Sequence, residues 1–242
     1  MKYNPWPLGQ LPKEFQRHEL DQARDLGYDI KDARDAIYLF ESTIAEFAGA
    51  RHAVAVDCCT HALFLSLKYC QCIMECDNHN DIIGVPNHTY LSVPMTIMQA
   101  GYELRWSEQK WEGQYELAPL SIFDAAGRFT KDMHKSVPGS LQCLSFQIKK
   151  RLPIGRGGMV LTNDSVAAEW IRRVSYDGRD LNIPYDQDLP PLPGYHFYMT
   201  PEDAARGLIL FKMLTKDGEE TKFTDILSHE NYTDLSKYGV FK

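Results

Sequence analysis

Residues 121–127 read SIFDAAG, a short apolar run that ends in Asp124 and continues into three small residues. An apolar run that leads into a polar, glycine-containing turn is typical of a buried strand in an α/β protein. In such sheets ligands bind beyond the carboxyl ends of the strands. The segment therefore predicts a strand that ends near Asp124, with the carboxylate facing a ligand site or, alternatively, solvated at the strand end.

Strand-like and helix-like patterns alternate on both sides of this segment. Further strands are predicted at 53–56, 82–85, 103–106, 144–146 and 158–161, and helices at 33–49, 60–69, 92–99, 165–176 and 201–214. Strands that alternate with helices imply crossover connections. We expect an α/β fold of three layers, with a mostly parallel sheet and helices on both faces.

This pattern gives a domain organisation. Residues 33–214 are predicted to form one domain, and residues 1–32, rich in proline and charge, an N-terminal arm with one short helical stretch. Residues 215–242 are polar and too few to build a second core, so we expect a short C-terminal tail.

The composition argues against binding to nucleic acid or to membranes. The 242 residues carry 26 basic and 33 acidic side chains, a net charge of −7 that offers no general attraction for nucleic acid or anionic lipid. No stretch approaches the ~20 apolar residues of a membrane span, and the N-terminus lacks the apolar core of a signal peptide. We expect a soluble, cytoplasmic protein that binds neither nucleic acid nor membranes.

The six cysteines are interpreted as reduced thiols, because no secretory signal accompanies them. Cys70, Cys72, Cys76 and His79 form a cluster that suggests zinc, but it lacks a paired C-x2-C half-site. We expect no metal and interpret the cluster as a helix end with small apolar thiols.

Polar residues follow three more predicted strands. Cys59 and Thr60 open a helix whose backbone N–H groups and hydroxyl can hold a phosphate, although Thr60 alone reads as a helix cap. The ring of Tyr90 could stack on a ligand or pack in the core. Lys149 and Lys150 precede a glycine-rich turn, where an amine can bond to a carbonyl, although paired lysines are usually solvated.

Together with Asp124, these residues provide a phosphate cup, a stacking ring, an acid for a pyridinium nitrogen and an amine for a carbonyl carbon. That set, in this order, resembles the DegT/DnrJ/EryC1/StrS family of sugar aminotransferases, which have the type I fold of pyridoxal 5'-phosphate (PLP) enzymes. The resemblance covers about residues 40–214. It is carried by 40–49 (FESTIAEFAG), 58–63 (CCTHAL), 89–90 (TY), 124–126 (DAA), 145–150 (SFQIKK) and 194–199 (GYHFYM).

The resemblance implies a role for each residue. Lys150 would bind the cofactor covalently and catalyse proton transfer, and Asp124 would pair with the pyridine nitrogen. The other residues that it assigns to the cofactor are Cys59, Thr60, Tyr90, Ala126, Ser145 and His196. Residues 215–242 would stand in place of the family's small domain.

Five departures from the family pattern accompany these matches. Cys58 and Cys59 replace a serine and a glycine, and Gly127 replaces the glutamine or histidine near the ring hydroxyl. His196 replaces the asparagine that reaches the phosphate of the partner subunit, and Tyr198 replaces an arginine.

The resemblance implies a homodimeric aminotransferase that moves an amino group from an amino acid, such as glutamate, to a nucleotide-linked keto-sugar. The departures and the short tail keep open a non-catalytic or altered-activity protein with a binding or regulatory role. A dehydratase is disfavoured, because the family's dehydratases carry histidine where Lys150 stands.

Overall fold

The computed structural model describes residues 18–73, 82–215 and 227–241. Helices and strands alternate in the first half of the chain, and the later strands follow one another without an intervening α-helix. The helices are α1 (Glu19–Asp25), α2 (Asp35–Ala48), α3 (Cys59–Ile73), α4 (Ser92–Gln99), α5 (Ser165–Ser175) and α6 (Pro201–Leu214). The strands are β1 (His52–Val56), β2 (Ile82–Pro86), β3 (Glu103–Ser107), β4 (Tyr115–Glu116), β5 (Ile122–Asp124), β6 (Leu141–Ser145) and β7 (Gly158–Thr162).

Local sequence explains where several helices begin and end. Gly49 ends α2 at φ 73°, a left-handed conformation that glycine adopts without steric cost. The side chain of Asp164 accepts hydrogen bonds from two amides at the start of α5. Thr200 caps α6 in the same way, and Pro201 occupies the first helical position. These boundaries agree with the sequence prediction to within about two residues.

The main sheet has the strand order β1-β7-β6-β5-β4, and β2 and β3 form a second, parallel pair. The prediction of an α/β fold is confirmed, but the main sheet is mixed. β5 and β6 are parallel, whereas β7 runs antiparallel to both of its neighbours and β4 runs antiparallel to β5. The connection between β6 and β7 contains no helix, so the chain returns antiparallel instead of crossing over.

The core lies on both faces of the sheet. On β1, Val54 and Val56 belong to a cluster that includes buried residues of α3 and α5. Ala53 and Ala55 belong to a second cluster with residues of α2 and α6. Successive side chains of a strand point to opposite faces, so the predicted helical layers on both sides are confirmed.

The first and the last described segments pack onto this layered core. Lys212 on α6 donates a hydrogen bond to the carbonyl of Leu26 (2.7 Å), which follows α1. Near the other end Leu235 is buried, and its amide donates to the carbonyl of Asn87 (2.8 Å).

Cys76 and His79 of the suggested zinc cluster lie outside the described residues. No helix in the described ranges combines the length and apolar character that crossing a bilayer requires.

Gly158, the first residue of β7, allows the start of α3 to lie against the sheet. A Cβ atom there would come within 2.3 Å of the Cys58 carbonyl carbon and 2.5 Å of the Cys59 nitrogen. We expect Gly158→Ala to lower the free energy of unfolding by about 1–3 kcal/mol, because backbone must move. Urea titration measures this change.

The matched control is Gly139→Ala, where an added Cβ meets no atom within 4 Å. Equal stability of the two variants would contradict this prediction.

Candidate active site

A cavity of about 510 Å³ lies beyond the carboxyl ends of β1, β2, β5 and β6. Loops from separate parts of the chain meet there, as expected for an α/β sheet. The predicted site residues that line it are Cys59, Thr60, Tyr90, Asp124, Ala126, Ser145 and Lys150.

His196 is the predicted residue that does not line this cavity. Its side chain is 69% exposed, and its Nδ1 atom lies 3.1 Å from a carboxylate oxygen of Asp177. The ring packs edge-on against Tyr198, with 4.6 Å between the centroids. A residue in this position can contact another molecule but not a ligand in its own cavity.

Asp124 is buried at the end of β5 and held in one orientation. It accepts hydrogen bonds from the amide of Ala126 (2.9 Å) and the hydroxyl of Tyr115 (2.6 Å). Burial raises the pKa of Asp124, although these two hydrogen bonds and the positive charge of Lys150 act in the opposite direction. A cationic ring nitrogen bound beside the carboxylate would further stabilise its charged form.

Two aromatic residues that the sequence analysis missed support Asp124. Tyr115 on β4 is buried, and burial raises the pKa of its hydroxyl, which therefore stays protonated and donates to Asp124. The same hydroxyl contacts the side chain of Thr89. Trp111 packs 4.8 Å from the Tyr115 ring and donates its indole N–H to the carbonyl of His88 (2.8 Å). A two-residue strand has no periodicity that could have indicated this arrangement.

Lys150 lies in the loop between β6 and β7, in a turn closed by a hydrogen bond from its amide to the carbonyl of Gln147 (2.7 Å). Gly155 and Gly157 adopt φ 123° and 152° in the same loop, which explains the glycine-rich pattern. Lys149 lines the cavity as well. Lys150 is close enough to Asp124 for its positive charge to lower the pKa of that carboxyl. The two predicted catalytic residues therefore interact electrostatically.

The start of α3 forms one end of the cavity. The first amides of a helix have no partner within the helix and favour anions. The Thr60 hydroxyl lies 2.9 Å from that of Ser92, so two hydroxyl groups accompany these amides. Burial raises the pKa of Cys59 well above its ordinary value, so the thiol is neutral and does not repel an anion.

An ion-pair network adds positive charge beside this helix start. Asp57 contacts His61 Nδ1 (2.5 Å) with one carboxylate oxygen and the Arg156 guanidinium (2.7 Å) with the other. Burial of the His61 ring opposes protonation, but hydrogen bonds to Asp57 and Cys58 outweigh it and raise its pKa to about 9. His61 is therefore a cation at neutral pH.

Three residues of this region, Asp57, Cys58 and His61, are close enough together to hold a metal ion. Ligand atoms of Asp57, Cys58 and His61 lie within 4.8 Å of one another. Both carboxylate oxygens of Asp57 are already engaged in ion pairs, so we interpret the cluster as a charge network.

The chain beyond α6 completes the cavity, which the sequence analysis did not predict. Leu227, Asn231 and Tyr232 line it together with the residues above. The predicted tail is therefore part of the cavity wall.

Comparison with known proteins shows the family of this chain. The sequence model of the DegT/DnrJ/EryC1/StrS aminotransferase family matches residues 20–110 and 120–224, most of the chain. The chain belongs to this family. The resemblance noted in the sequence is thereby confirmed.

A curated relative and two solved structures are similar to this chain. SpsC of Bacillus subtilis (strain 168), a spore coat polysaccharide biosynthesis protein, is 26% identical over 259 residues, covering 87% of this chain and 64% of SpsC. PseC of Helicobacter pylori, an aminotransferase involved in pseudoaminic acid biosynthesis, superposes with a TM-score of 0.63 at 14% identity, covering 93% of this chain and 85% of PseC. AtS13 of Actinomadura melliaura superposes with a TM-score of 0.62 at 17% identity, covering 82% of this chain and 65% of AtS13. The chain thus spans slightly less than two thirds of SpsC and AtS13.

Proposed function

We propose that this protein is a PLP-dependent aminotransferase that moves an amino group from an amino acid, such as glutamate, to a nucleotide-linked keto-sugar. The observation that carries the proposal is the convergence of Lys150, Asp124 and the start of α3 on one cavity in a member of an aminotransferase family. A non-catalytic protein of this fold would need neither the lysine nor the buried acid.

The residues present fit the cofactor. A volume of about 510 Å³ lies in the range of small-molecule sites. The amides and hydroxyls at the start of α3, with the neighbouring Arg156, would hold the phosphate. Asp124 would bind the ring nitrogen, and Lys150 would bond to the carbonyl carbon.

When bound, PLP supplies a ring that accepts the electron pair left on the donor's Cα. The negative charge of Asp124 would keep the ring nitrogen protonated, and Ala126 and Tyr115 hold this carboxylate in place before any ligand enters. The amine of Lys150 would remove the proton from the donor's Cα. The packed rings of Trp111 and Tyr115 would shield the side of the cavity next to Asp124 from water.

The relatives support a sugar as amino acceptor. SpsC is named for polysaccharide biosynthesis and PseC for the biosynthesis of pseudoaminic acid. The glutamate donor and the nucleotide carrier of the sugar are parts of the same proposal.

A homodimer accounts for the surface that carries His196. The neighbouring segment exposes large apolar side chains, with Tyr185 80% and Leu189 90% accessible. Exposed apolar patches of this kind are typical of protein interfaces. We propose that a second copy covers this surface and receives His196 at its phosphate end.

We expect PLP to be bound covalently at Lys150. Borohydride reduction of the protein with PLP, followed by peptide mass mapping, should place the pyridoxyl group on that residue. Lys150→Ala should abolish the labelling while the protein stays folded. Lys149→Ala is the matched control and should label as the parent does. A pyridoxyl group on Lys149, or on no lysine, would refute the assignment.

We expect Asp124→Ala to weaken PLP binding about 10- to 100-fold, because it removes a charge-assisted hydrogen bond in a buried site. The half-reaction with glutamate, followed by absorbance, should be almost completely lost. Glu116→Ala on the adjacent strand is the control and should react normally. A fast half-reaction in Asp124→Ala would contradict the role given to this carboxylate.

The dimer is tested by sedimentation velocity. We expect a homodimer whose affinity for PLP falls on His196→Ala, because a contact to the phosphate of the partner subunit is lost. His52→Ala, at the start of β1, controls for the loss of an imidazole elsewhere. A stable monomer that retains PLP tightly would overturn the shared site.

A further inference from the structure

We propose that residues 227–241, here called the C-terminal wall, are a fixed part of the cofactor site, and that Tyr232 from this wall binds the cofactor through its hydroxyl. The inference rests on the proposed function and extends it. The proposal assigns a ligand-binding residue to a segment that the sequence analysis predicted to be a short polar tail.

Backbone hydrogen bonds fasten the C-terminal wall to three loops at the cavity. Leu227 accepts from the amide of Gly113 (2.7 Å) and donates to the carbonyl of Gly127 (3.2 Å). Further along, the amide of Leu235 donates to Asn87 (2.8 Å), which follows β2. Backbone pairing at both ends fixes where the intervening residues lie.

The glycine at position 127 leaves room for the C-terminal wall to pack closely. A Cβ atom on Gly127 would lie 3.0 Å from the Leu227 Cβ and 3.1 Å from the Gly113 carbonyl oxygen. Gly127 is also one of the departures noted in the sequence. A larger side chain at this position and the C-terminal wall would compete for the same space.

Tyr232 presents an unused donor to the cavity. Its ring packs on Trp111, with 5.6 Å between centroids, and its carbonyl oxygen lies 2.8 Å from the His88 ring nitrogen. Among the residues that the structure describes, none forms a hydrogen bond with the Tyr232 hydroxyl. A half-buried hydroxyl in a cavity gains a partner when a ligand with an acceptor atom binds.

The charge state of Tyr232 agrees with a donor role. Burial raises its pKa to about 12, and the negative charge of nearby Asp124 acts in the same direction. The hydroxyl therefore stays protonated at neutral and mildly alkaline pH. It can donate to an oxygen atom of PLP while Asp124 accepts from the ring nitrogen.

The experiment is a titration of the purified, cofactor-free full chain with PLP, monitored by intrinsic fluorescence without any amino acid or sugar. Tyr232→Phe keeps the ring against Trp111 and removes only the hydroxyl. We expect its Kd for PLP to rise about five- to tenfold, the effect of one lost hydrogen bond. Tyr238→Phe is the matched control, because Tyr238 lies in the same segment but is 46% exposed and does not line the cavity.

A second variant tests the attachment. We expect Gly127→Val to displace the C-terminal wall, raising amide hydrogen exchange in residues 227–241 as well as the Kd for PLP. Gly139→Val should change neither, because a Cβ there meets no atom within 4 Å.

Three outcomes would contradict the proposed roles of Tyr232 and the C-terminal wall. Equal PLP affinity of the parent and Tyr232→Phe would refute the role of the hydroxyl and leave the proposed function intact. Unchanged hydrogen exchange in Gly127→Val would refute the attachment. A parent protein that does not bind PLP would overturn the proposed function and this inference together.

Discussion

A carboxylate removed from water destabilises a protein unless hydrogen-bond donors surround it, and Asp124 imposes this requirement on the candidate site. One donor is local, the amide of Ala126. The other is the hydroxyl of Tyr115, which arrives because β4 pairs with β5 in a register that sets Tyr115 opposite Asp124. Thr89 contacts the same hydroxyl, so the loop after β2 is part of the arrangement. The buried carboxylate thus links strand β4 and the loop after β2 to the end of β5.

The two ends of the cavity carry opposite charges. Asp124 provides negative charge at one end. At the other end the start of α3 and Arg156 provide positive charge, and protonated His61 lies beside them, with Asp57 paired to both cations. A zwitterionic ligand with a cationic ring and an anionic group is complementary to that polarity. The neutral Cys59 thiol leaves the positive end undisturbed despite replacing a smaller residue.

Much of this site could be predicted from the sequence, because Thr60, Asp124 and Lys150 each follow the end of a predicted strand. The carboxyl ends of these strands meet at one edge, so local patterns predict that the three residues lie close together, whereas their roles come from the family resemblance. Helix ends such as Gly49 and Thr200 were likewise local signals. The antiparallel direction of β7 and the positions of Tyr115 and Tyr232 depend on contacts between distant segments, and short patterns carry no information about those contacts.

The contact between Gly127 and Leu227 restricts the order in which this sequence can evolve. While Leu227 holds its place, a side chain at position 127 requires its neighbours to shift, since even one added carbon atom would lie 3.0 Å from Leu227. Without the C-terminal wall, this contact would not oppose the same replacements. We therefore expect the effect of a substitution at position 127 to depend on whether the wall is present.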